Sequence, residues 1–358
     1  MEQLTIETSS KTYPVVIGSN LYKELPAFIE KELAPVSNVW IISDETVASL
    51  YLQPLQNCLK SAYPNMVTTI VPSGEKAKSF QVFEQCHGEG LKGHINRKSL
   101  ILALGGGATG DLAGFVAASY MRGIRFIGLP TTLLAHDSAV GGKVAINHTL
   151  GKNMVGAFHQ PEAVFYNYDL LRSLPEHEWR SGFAEAIKHG LIQDKDFYHW
   201  MKDSVTNVSE MPDDVLLKVI RKGIGIKAAI VKQDERETGI REYLNFGHTL
   251  GHSIESNLGY GKTTHGEAVL IGMIFALKMS IEKCGLTFNI SEFIAWAKKL
   301  GYQTELPDIA YEDLLVSMKK DKKTTGSKVT FVVLNEIGNP STIQLGDSEI
   351  IDCLKRYF

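Results

Sequence analysis

The sequence predicts an α/β protein of two domains, a parallel sheet covered by helices followed by a mainly α-helical C-terminal domain. In the first half, short apolar segments alternate with helix-like segments, a pattern typical of parallel sheets. Beyond about residue 168 strand patterns nearly vanish, and helical periodicity continues to about residue 300. A chain of 358 residues is also longer than a single hydrophobic core ordinarily supports. We therefore expect domains at 1–168 and 169–358, with the active site in the cleft between them.

The individual elements follow from local patterns. Residues 1–20 alternate as strands do, and turn residues stop the apolar segments that come next. Those segments predict four strands, at 39–43, 66–71, 99–104 and 125–129. Helix-like segments at 80–91 and 112–120 lie between them, and one late strand is predicted at 328–334.

Composition limits the class of protein. A net charge of -3 gives no sign of nucleic-acid binding. The longest apolar stretch, 268–279, is too short to span a membrane, and no secretory signal is evident at the N-terminus. The cysteines are scattered without metal-ligand spacing, as expected for reduced thiols of a cytoplasmic protein: Cys58, Cys86, Cys284 and Cys353.

A glycine-rich turn follows the most apolar predicted strand and opens a helix. Its spacing, Gly105-x-Gly107-x-x-Gly110, fits the dinucleotide fingerprint, in which glycines and a helix N-terminus receive a pyrophosphate. The turn follows the third strand of the series rather than the first, so the domain is predicted to be Rossmann-like rather than an ordinary Rossmann unit. A tight turn that needs glycine only for packing is the alternative.

Two other turns follow predicted strands. Asp44 could accept a hydrogen bond from a ribose hydroxyl, or it could simply cap a helix. The turn at 73–76 ends a strand at the sheet edge where ligands gather, although a plain turn fits as well. Further on, the segment 131–160 is predicted to be irregular and functional. Lys143 and Lys152 sit beside glycines there and suit a phosphate or carboxylate, with surface lysine as the alternative.

Three segments of the second half suggest a metal site. Glu185, His248 and His265 would supply one carboxylate and two imidazoles to a divalent metal and leave one position open. Spacing alone also nominates His252, four residues after His248 on one predicted helix. Glu185 could instead form an exposed ion pair with Lys188, and His265 could be a capping or surface residue.

A polar group precedes this predicted helix. Arg241, Asn245 and His252 stand at offsets −7, −3 and +4 from His248, so all three could point the same way on continuous helix. A guanidinium in that place is suited to binding an anion.

The sequence resembles the 3-dehydroquinate synthase family, within the sugar phosphate cyclases, over nearly the whole chain. The segments that carry the resemblance are 105–111, 120–123, 137–143, 151–153, 182–188, 244–252 and 265–267.

The resemblance implies a Zn2+ ion held by Glu185, His248 and His265, with Co2+ acceptable to the same ligands. It makes His252 a contact of the substrate rather than a metal ligand. It also implies bound NAD+, in contact with residues of the first domain: Asp44, Glu75, Lys76, Gly106, Gly107, Ala108, Thr109, Gly110, Asp111, Thr131, Thr132, Lys143 and Lys152.

The implied substrate is a phosphorylated sugar acid. Its phosphate would contact Lys152, Asn153, Asn245 and His252, and its carboxylate end or ring hydroxyls would contact Lys188, Lys227 and Arg241. Asp137 and Lys143 would lie where nicotinamide and substrate meet.

Arg122 resembles an arginine that reaches into the partner subunit's site, which implies a homodimer. One of Lys322 and Lys323 should also reach the site. The segment 134–137 is one residue shorter than in many members, with His136 at the changed place.

The implied reaction converts 3-deoxy-D-arabino-heptulosonate 7-phosphate to 3-dehydroquinate and phosphate, in the shikimate pathway to aromatic amino acids. It proceeds by transient NAD+ oxidation, phosphate elimination, re-reduction and ring closure. Another sugar phosphate cyclase, a metal-dependent polyol or glycerol dehydrogenase, and a binding module without activity are the alternatives. Joint presence of Arg241, Asn245 and His252 favours a substrate with a carboxylate, and a dehydrogenase would release NADH.

Overall fold

The computed structural model describes residues 1–259, 261–320 and 328–358. Lys322 and Lys323 lie outside the described residues. The chain divides into two compact units, Met1–Leu174 and Pro175–Phe358.

The first unit is an α/β structure. Its strands are β1 (Glu2–Glu7), β2 (Thr12–Gly18), β3 (Val39–Asp44), β4 (Val67–Val71), β5 (Leu100–Gly105), β6 (Arg125–Pro130), β7 (Lys143–His148), β8 (Gly151–Phe158) and β9 (Ala163–Asn167). Its helices are α1 (Leu25–Leu33), α2 (Glu45–Val47), α3 (Gln53–Leu59), α4 (Phe80–Lys92), α5 (Gly107–Ser119) and α6 (Ala135–Ser138). Every residue of β3 and β5 is buried, which explains their apolar sequences.

The main sheet places several predicted site residues at one edge. Its strand order is β1-β2-β9-β6-β5-β3-β4, with all neighbours parallel except β1 and β2. The chain leaves β3 toward β4 and returns on the other side of β3 as β5. The carboxyl ends of β3 and β5 therefore flank a topological switch point, where ligands bind in open α/β sheets.

The expectation of an irregular segment at 131–160 was wrong for residues 143–158. β7 and β8 form an antiparallel hairpin with Lys143 opposite Phe158. Val144 and Ile146 alternate into the core cluster that includes Leu112 of α5, which is the ordinary pattern of a half-buried strand. Glycine and asparagine around the turn obscured this short alternation in the sequence.

The second unit is mainly helical. Its helices are α7 (Glu176–Gln193), α8 (Lys195–Ser204), α9 (Asp213–Gln233), α10 (His248–Leu258), α11 (His265–Cys284), α12 (Ile290–Lys299), α13 (Tyr311–Lys320) and α14 (Asp347–Tyr357), and its strands are β10 (Val329–Glu336) and β11 (Asn339–Leu345). α11 is buried along most of its length and forms a core with α10, α13 and the hairpin. Within the described ranges, none of the helices combines the length and the apolar character needed to cross a bilayer.

Candidate functional site

Three predicted metal ligands converge in the second unit. Oε1 of Glu185 lies 3.7 Å from Nε2 of His248 and 3.7 Å from Nε2 of His265. Glu185 is 1% exposed, and its Oε1 has no hydrogen-bond partner among the described residues. Its other oxygen, Oε2, accepts from Nζ of Lys188. Because an unsatisfied buried carboxylate oxygen is costly, the arrangement calls for a cation among the three atoms.

The three atoms fit a divalent metal. A tetrahedral zinc ion with bonds of about 2.0–2.2 Å separates its ligand atoms by roughly 3.4 Å. The two separations of Glu185 Oε1 from the imidazole nitrogens, 3.7 Å each, lie close to this value. One carboxylate oxygen and two imidazole nitrogens also form a donor set that zinc and cobalt accept, with a fourth position left open.

Hydrogen bonds fix the tautomer of both imidazoles. Nδ1 of His265 lies 2.9 Å from Oε2 of Glu255, and Nδ1 of His248 lies 3.2 Å from the carbonyl oxygen of Phe246. Both partners are acceptors only, so each Nδ1 carries the proton and each Nε2 keeps its lone pair toward Glu185. Glu255 was not among the predicted residues, although it follows His248 by seven residues and so shares its face of α10.

His252 belongs to the same cluster. Its ring centroid lies 5.2 Å from that of His248 and 5.7 Å from that of His265. Ligand atoms of the three histidines lie within 4.8 Å of one another, so a metal could also recruit His252. This position lets His252 contact a group bound beside the Glu185 set.

Close backbone contacts bring the ligand-bearing helices together. A Cβ atom on Gly266 would lie 2.0 Å from the carbonyl oxygen of Ser181, and one on Gly272 would lie 1.9 Å from that of Gly247. Only glycine permits these approaches. As a result α11 touches α7 one turn before Glu185, and it touches the residue before His248.

The charged residues near this cluster are more buried than expected. Lys188 pairs with Glu185, and each side chain is 1% exposed, so the alternative of an exposed ion pair was wrong. Lys227 of α9 and Arg241 are also buried. Nη1 of Arg241 donates to the carbonyl oxygen of Glu235.

The expectation that Arg241 and Asn245 share a helical face with His248 was wrong. Both lie on a separate 3-10 turn, Ile240–Asn245, and Gly247 with φ of 81° stands between that turn and α10. The helical offsets therefore do not apply. Nδ2 of Asn245 donates to Oε1 of Glu237 at 2.9 Å.

Asp234 holds the loop that carries Arg241. Its carboxylate accepts from the backbone nitrogens of Thr238 (2.9 Å), Gly239 (2.7 Å) and Arg241 (3.0 Å), and from the Thr238 hydroxyl (3.3 Å). Burial alone would raise the pKa of Asp234, but these donors outweigh burial and hold the pKa below its ordinary value. Asp234 was not among the predicted residues, because its hydrogen-bond partners depend on the fold of the loop.

In the first unit, the glycine-rich turn has the features of a nucleotide site. α5 begins at Gly107, after Gly106 as N-cap, so its N-terminal amides lie at the carboxyl end of β5. A Cβ atom on Gly110 would meet nothing within 4 Å, which leaves space for a ligand. A pocket here is lined by predicted residues, including Gly106, Gly107, Gly110, Asp111 and Lys143. Ala108 and Thr109 lie in the first turn of α5.

Two threonines at the next strand end support this assignment. The hydroxyls of Thr131 and Thr132 are buried and have no hydrogen-bond partner among the residues that the structure describes. Buried hydroxyls are normally satisfied, so a polar ligand is the expected partner. Together with the N-terminus of α5, they fit the phosphates and ribose of a dinucleotide.

Asp44 has the structural role that the sequence left open. Its Oδ1 accepts from the Val47 amide and the Ser73 hydroxyl, each at 3.1 Å, and its Oδ2 accepts from the Thr109 hydroxyl at 3.1 Å. Asp44 therefore caps α2 and ties the ends of β3 and β4 to the glycine-rich turn. A carboxylate oxygen can accept more than one hydrogen bond, so a ribose contact through Oδ2 stays a prediction.

Two lysines stand in the segment 73–78, and they differ in exposure. Lys76 is exposed, whereas Lys78 is 2% exposed. Nζ of Lys78 donates to Oδ2 of Asp111 at 2.5 Å and to Oδ1 of Asn153. The sequence signal for Lys78 is a second lysine two residues after Lys76.

Other predicted residues surround this ammonium group. Nζ of Lys152 lies 3.2 Å from Oε1 of Glu75, and Nδ2 of Asn147 donates to Oε2 of Glu75 at 2.7 Å. Burial raises the pKa of Glu75, but Lys152 and Lys78 outweigh it, so the pKa lies below its ordinary value. At Asp111 burial raises the pKa of the carboxyl by more than the nearby Lys78 lowers it, so the pKa lies above its ordinary value. The structure thus joins Glu75, Asp111, Lys152 and Asn153 in one network around Lys78.

Two further predicted residues of the first unit lie on a short helix and on a turn. Asp137 is half-buried on α6, after a buried His136 whose Nδ1 lies 2.7 Å from the Leu133 carbonyl oxygen. Arg122 is exposed on a turn whose residues all have positive φ, namely Met121 (50°), Arg122 (71°) and Gly123 (116°).

Comparison with known proteins identifies the family. The models for 3-dehydroquinate synthase N-terminal and C-terminal match residues 68–181 and 182–324. The 3-dehydroquinate synthase of Bacillus mycoides (strain KBAB4) is 50% identical over 357 residues, which cover 100% of this chain and 99% of that protein.

Solved structures confirm the predicted fold class. 2-Deoxy-scyllo-inosose synthase complexed with carbaglucose-6-phosphate, NAD+ and Co2+ has a TM-score of 0.89 at 24% identity, covering 99% of this chain and 100% of that one. 2-Epi-5-epi-valiolone synthase from Streptomyces hygroscopicus subsp. jinggangensis 5008, with NAD+ and Zn2+ bound, has a TM-score of 0.86 at 22% identity, covering 96% of each chain. On the sequence matches over its full length, this chain belongs to the 3-dehydroquinate synthase family.

Proposed function

We propose that the protein is a phosphorus–oxygen lyase, a metal- and NAD+-dependent 3-dehydroquinate synthase of the shikimate pathway. It converts 3-deoxy-D-arabino-heptulosonate 7-phosphate to 3-dehydroquinate and phosphate. The observation that carries the proposal is the convergence of Glu185 Oε1 on Nε2 of His248 and of His265, each at 3.7 Å. This donor set suits an ion that can chelate adjacent hydroxyls of a sugar acid.

The residues of the second unit hold the metal and orient its ligands. A bound Zn2+ ion would supply Lewis acidity that stabilises a developing alkoxide. Glu185, His248 and His265 hold it, and Glu255 and the Phe246 carbonyl keep both imidazoles in the binding tautomer. Co2+ is accepted by the same set, and the two related cyclase structures hold Co2+ or Zn2+.

The residues of the first unit bind the dinucleotide. A bound NAD+ would supply reversible hydride transfer, so that no net oxidation results. The N-terminus of α5 receives the pyrophosphate, and the hydroxyls of Thr131 and Thr132 donate to the nucleotide. Both named cyclase structures also hold NAD+.

Basic and amide groups bind the two ends of the substrate. We assign the phosphate to Lys152, Asn153, Asn245 and His252, and the carboxylate end or ring hydroxyls to Arg241, Lys188 and Lys227. We place Asp137 and Lys143 beside the point where the nicotinamide and the substrate meet. Nζ of Lys152 lies 3.2 Å from Oε1 of Glu75, and Oδ1 of Asn153 accepts from Nζ of Lys78. Fixed cations around a leaving phosphate stabilise the charge that develops on it.

The proposal includes a homodimer in the cytoplasm. The exposed Arg122 would enter the site of a second subunit, as the family resemblance implies. Four free cysteines suit a reducing compartment.

A substrate panel tests the proposal against its rivals. The protein is supplied with NAD+, Zn2+ and either the heptulosonate phosphate or phosphorylated sugars that lack a carboxylate, and phosphate release is measured. Release from the heptulosonate phosphate alone supports the proposal. Release from a sugar without a carboxylate assigns the chain to a sister cyclase activity, and net NADH with a simple polyol assigns it to dehydrogenase activity.

A further inference from the structure

An ion pair joins the two helices that carry Glu185 and His265. Nε and Nη2 of Arg180 on α7 lie 3.0 Å and 2.9 Å from Oε1 of Glu267 on α11. Arg180 precedes Glu185 by five residues, and Glu267 follows His265 by two. Beside the pair, the amide of Gly266 donates to the Ser181 hydroxyl at 3.0 Å. These contacts fasten the first turn of α11 to α7 directly beside two predicted metal ligands.

The surroundings make this pair stronger than an ordinary surface ion pair. The side chains of Arg180 and Glu267 are 20% and 18% exposed, so solvent and salt screen them less than an exposed pair. Glu267 also accepts from the Thr264 hydroxyl at 2.8 Å in the capping box of α11. The carbonyl oxygen of Arg180 accepts from the Tyr302 hydroxyl at 2.6 Å. Both partners are therefore held from a second side.

We propose that Arg180 is a positioning residue of the metal site, which sets the separation of Glu185 and His265 by holding Glu267. The inference rests on the metal site of the proposed function. His265 is the first residue of α11, and terminal turns of helices lack part of their internal hydrogen bonds and fray. The Arg180–Glu267 pair restrains that turn. Since metal–ligand distances tolerate only about 0.2 Å, a loosened turn weakens metal binding.

Arg180 offers a matched control. Its second acidic neighbour, Glu176, lies 3.7 Å away and is 79% exposed. Exposed pairs of this kind contribute little. E176Q therefore removes a carboxylate from the same arginine without touching α11, whereas R180Q and E267Q remove the link to α11. R180K keeps the charge but loses the planar fork that places two nitrogens on one oxygen.

The test is a Zn2+ titration of the full-length protein in competition with a chromophoric chelator, after the resident metal has been removed. We expect affinity about tenfold weaker in R180Q and E267Q, since outer partners of metal ligands have effects of this size. R180K should restore part of the loss, and E176Q should match the unmodified protein. The melting temperature of each variant is measured with the chelator in excess.

The outcomes separate positioning from plain stabilisation. Unchanged Zn2+ affinity in R180Q and E267Q, with only a lower melting temperature, would overturn the inference, as would an equal loss in E176Q. Should R180Q fail to fold, E267Q carries the same test, because its amide oxygen can still accept from Thr264. If the unmodified protein binds no divalent cation, the metal site of the proposed function fails, and the inference fails with it.

Discussion

The carboxylate of Glu255 lies 2.9 Å from Nδ1 of His265, while Nε2 of the same ring faces Glu185 at 3.7 Å. The ring is thus held by one carboxylate and directed at another. Glu255 is buried on α10, and His265 begins α11, so the contact also fixes these two helices against each other. A carboxylate behind a metal-binding histidine raises the basicity of the ligand and fixes its orientation.

Glu255→Gln should weaken Zn2+ binding by about 10- to 100-fold, because the amide is a poorer acceptor for the Nδ1 proton. Competition with a chromophoric chelator measures the affinity. Glu282→Gln, the same change near the other end of α11, serves as the control and should leave the affinity unchanged. Equal affinities for the Glu255 variant and the unmodified protein would show that this carboxylate does not support the metal site.

Lys78→Gln should weaken NAD+ binding by about tenfold or more, whereas Lys76→Gln should change it by less than about twofold. Lys78 is the buried ammonium that Asp111 and Asn153 share, and losing a hydrogen bond to a charged group typically has an effect of this size. Lys76 is exposed. Isothermal titration with NAD+ measures both. A larger loss of NAD+ affinity in the Lys76 variant would show that Lys76, rather than Lys78, supports NAD+ binding.

Gly266→Ala should destabilise the protein by about 3 kcal/mol or more, because the new Cβ would lie 2.0 Å from the Ser181 carbonyl oxygen and force α11 away from α7. Gly225→Ala is the matched control. Gly225 is exposed in the interior of α9, and a Cβ there meets nothing within 4 Å. Its replacement should stabilise the helix by up to about 1 kcal/mol. Urea unfolding measures both, and equal effects would contradict the close helix contact.

The half-buried His159 should make stability depend on pH. Burial lowers its pKa below the ordinary value, and the hydrogen bond of its Nε2 to the Ile124 carbonyl (2.9 Å) opposes this only in part. The unfolded chain therefore binds a proton more readily than the folded one. The stabilisation is fully present above the unfolded pKa of about 6.5 and is lost as pH falls from there through the folded pKa.

Comparison with His159→Gln isolates this effect. The free energy of unfolding of the unmodified protein, relative to the variant, should rise as pH increases through the folded pKa toward the unfolded pKa of about 6.5, and then level off. Denaturant titrations at each pH measure the difference. A relative stability that falls with rising pH would mean that the folded protein favours the charged imidazole.

Much of the first unit could be predicted because its signals are local. β3 and β5 are buried along their whole length, so their sequences are continuously apolar. The predicted strands place Asp44 and the Gly107 turn each at a strand end, and parallel strands end at a common edge of the sheet. The β7–β8 hairpin was missed because glycines break its alternation.

The supporting residues of the site could not be predicted in the same way. Glu255 and Glu267 act on His265 and Arg180, which lie on other segments, and only the packing of α7, α10 and α11 brings these pairs together. For Arg241 the prediction failed for a local reason, because Gly247 interrupts the helix on which its offset was counted. Sequence patterns indicate candidate catalytic and binding residues. The residues that hold those side chains in place depend on tertiary contacts.

The most direct test of the account is turnover of 3-deoxy-D-arabino-heptulosonate 7-phosphate with catalytic NAD+ and Zn2+, following phosphate, 3-dehydroquinate and NADH together. The account predicts equal amounts of phosphate and 3-dehydroquinate, no net NADH, loss of activity with a chelator and recovery when Zn2+ is restored. Absence of turnover, activity that survives complete metal removal, or NADH accumulating with product would contradict it.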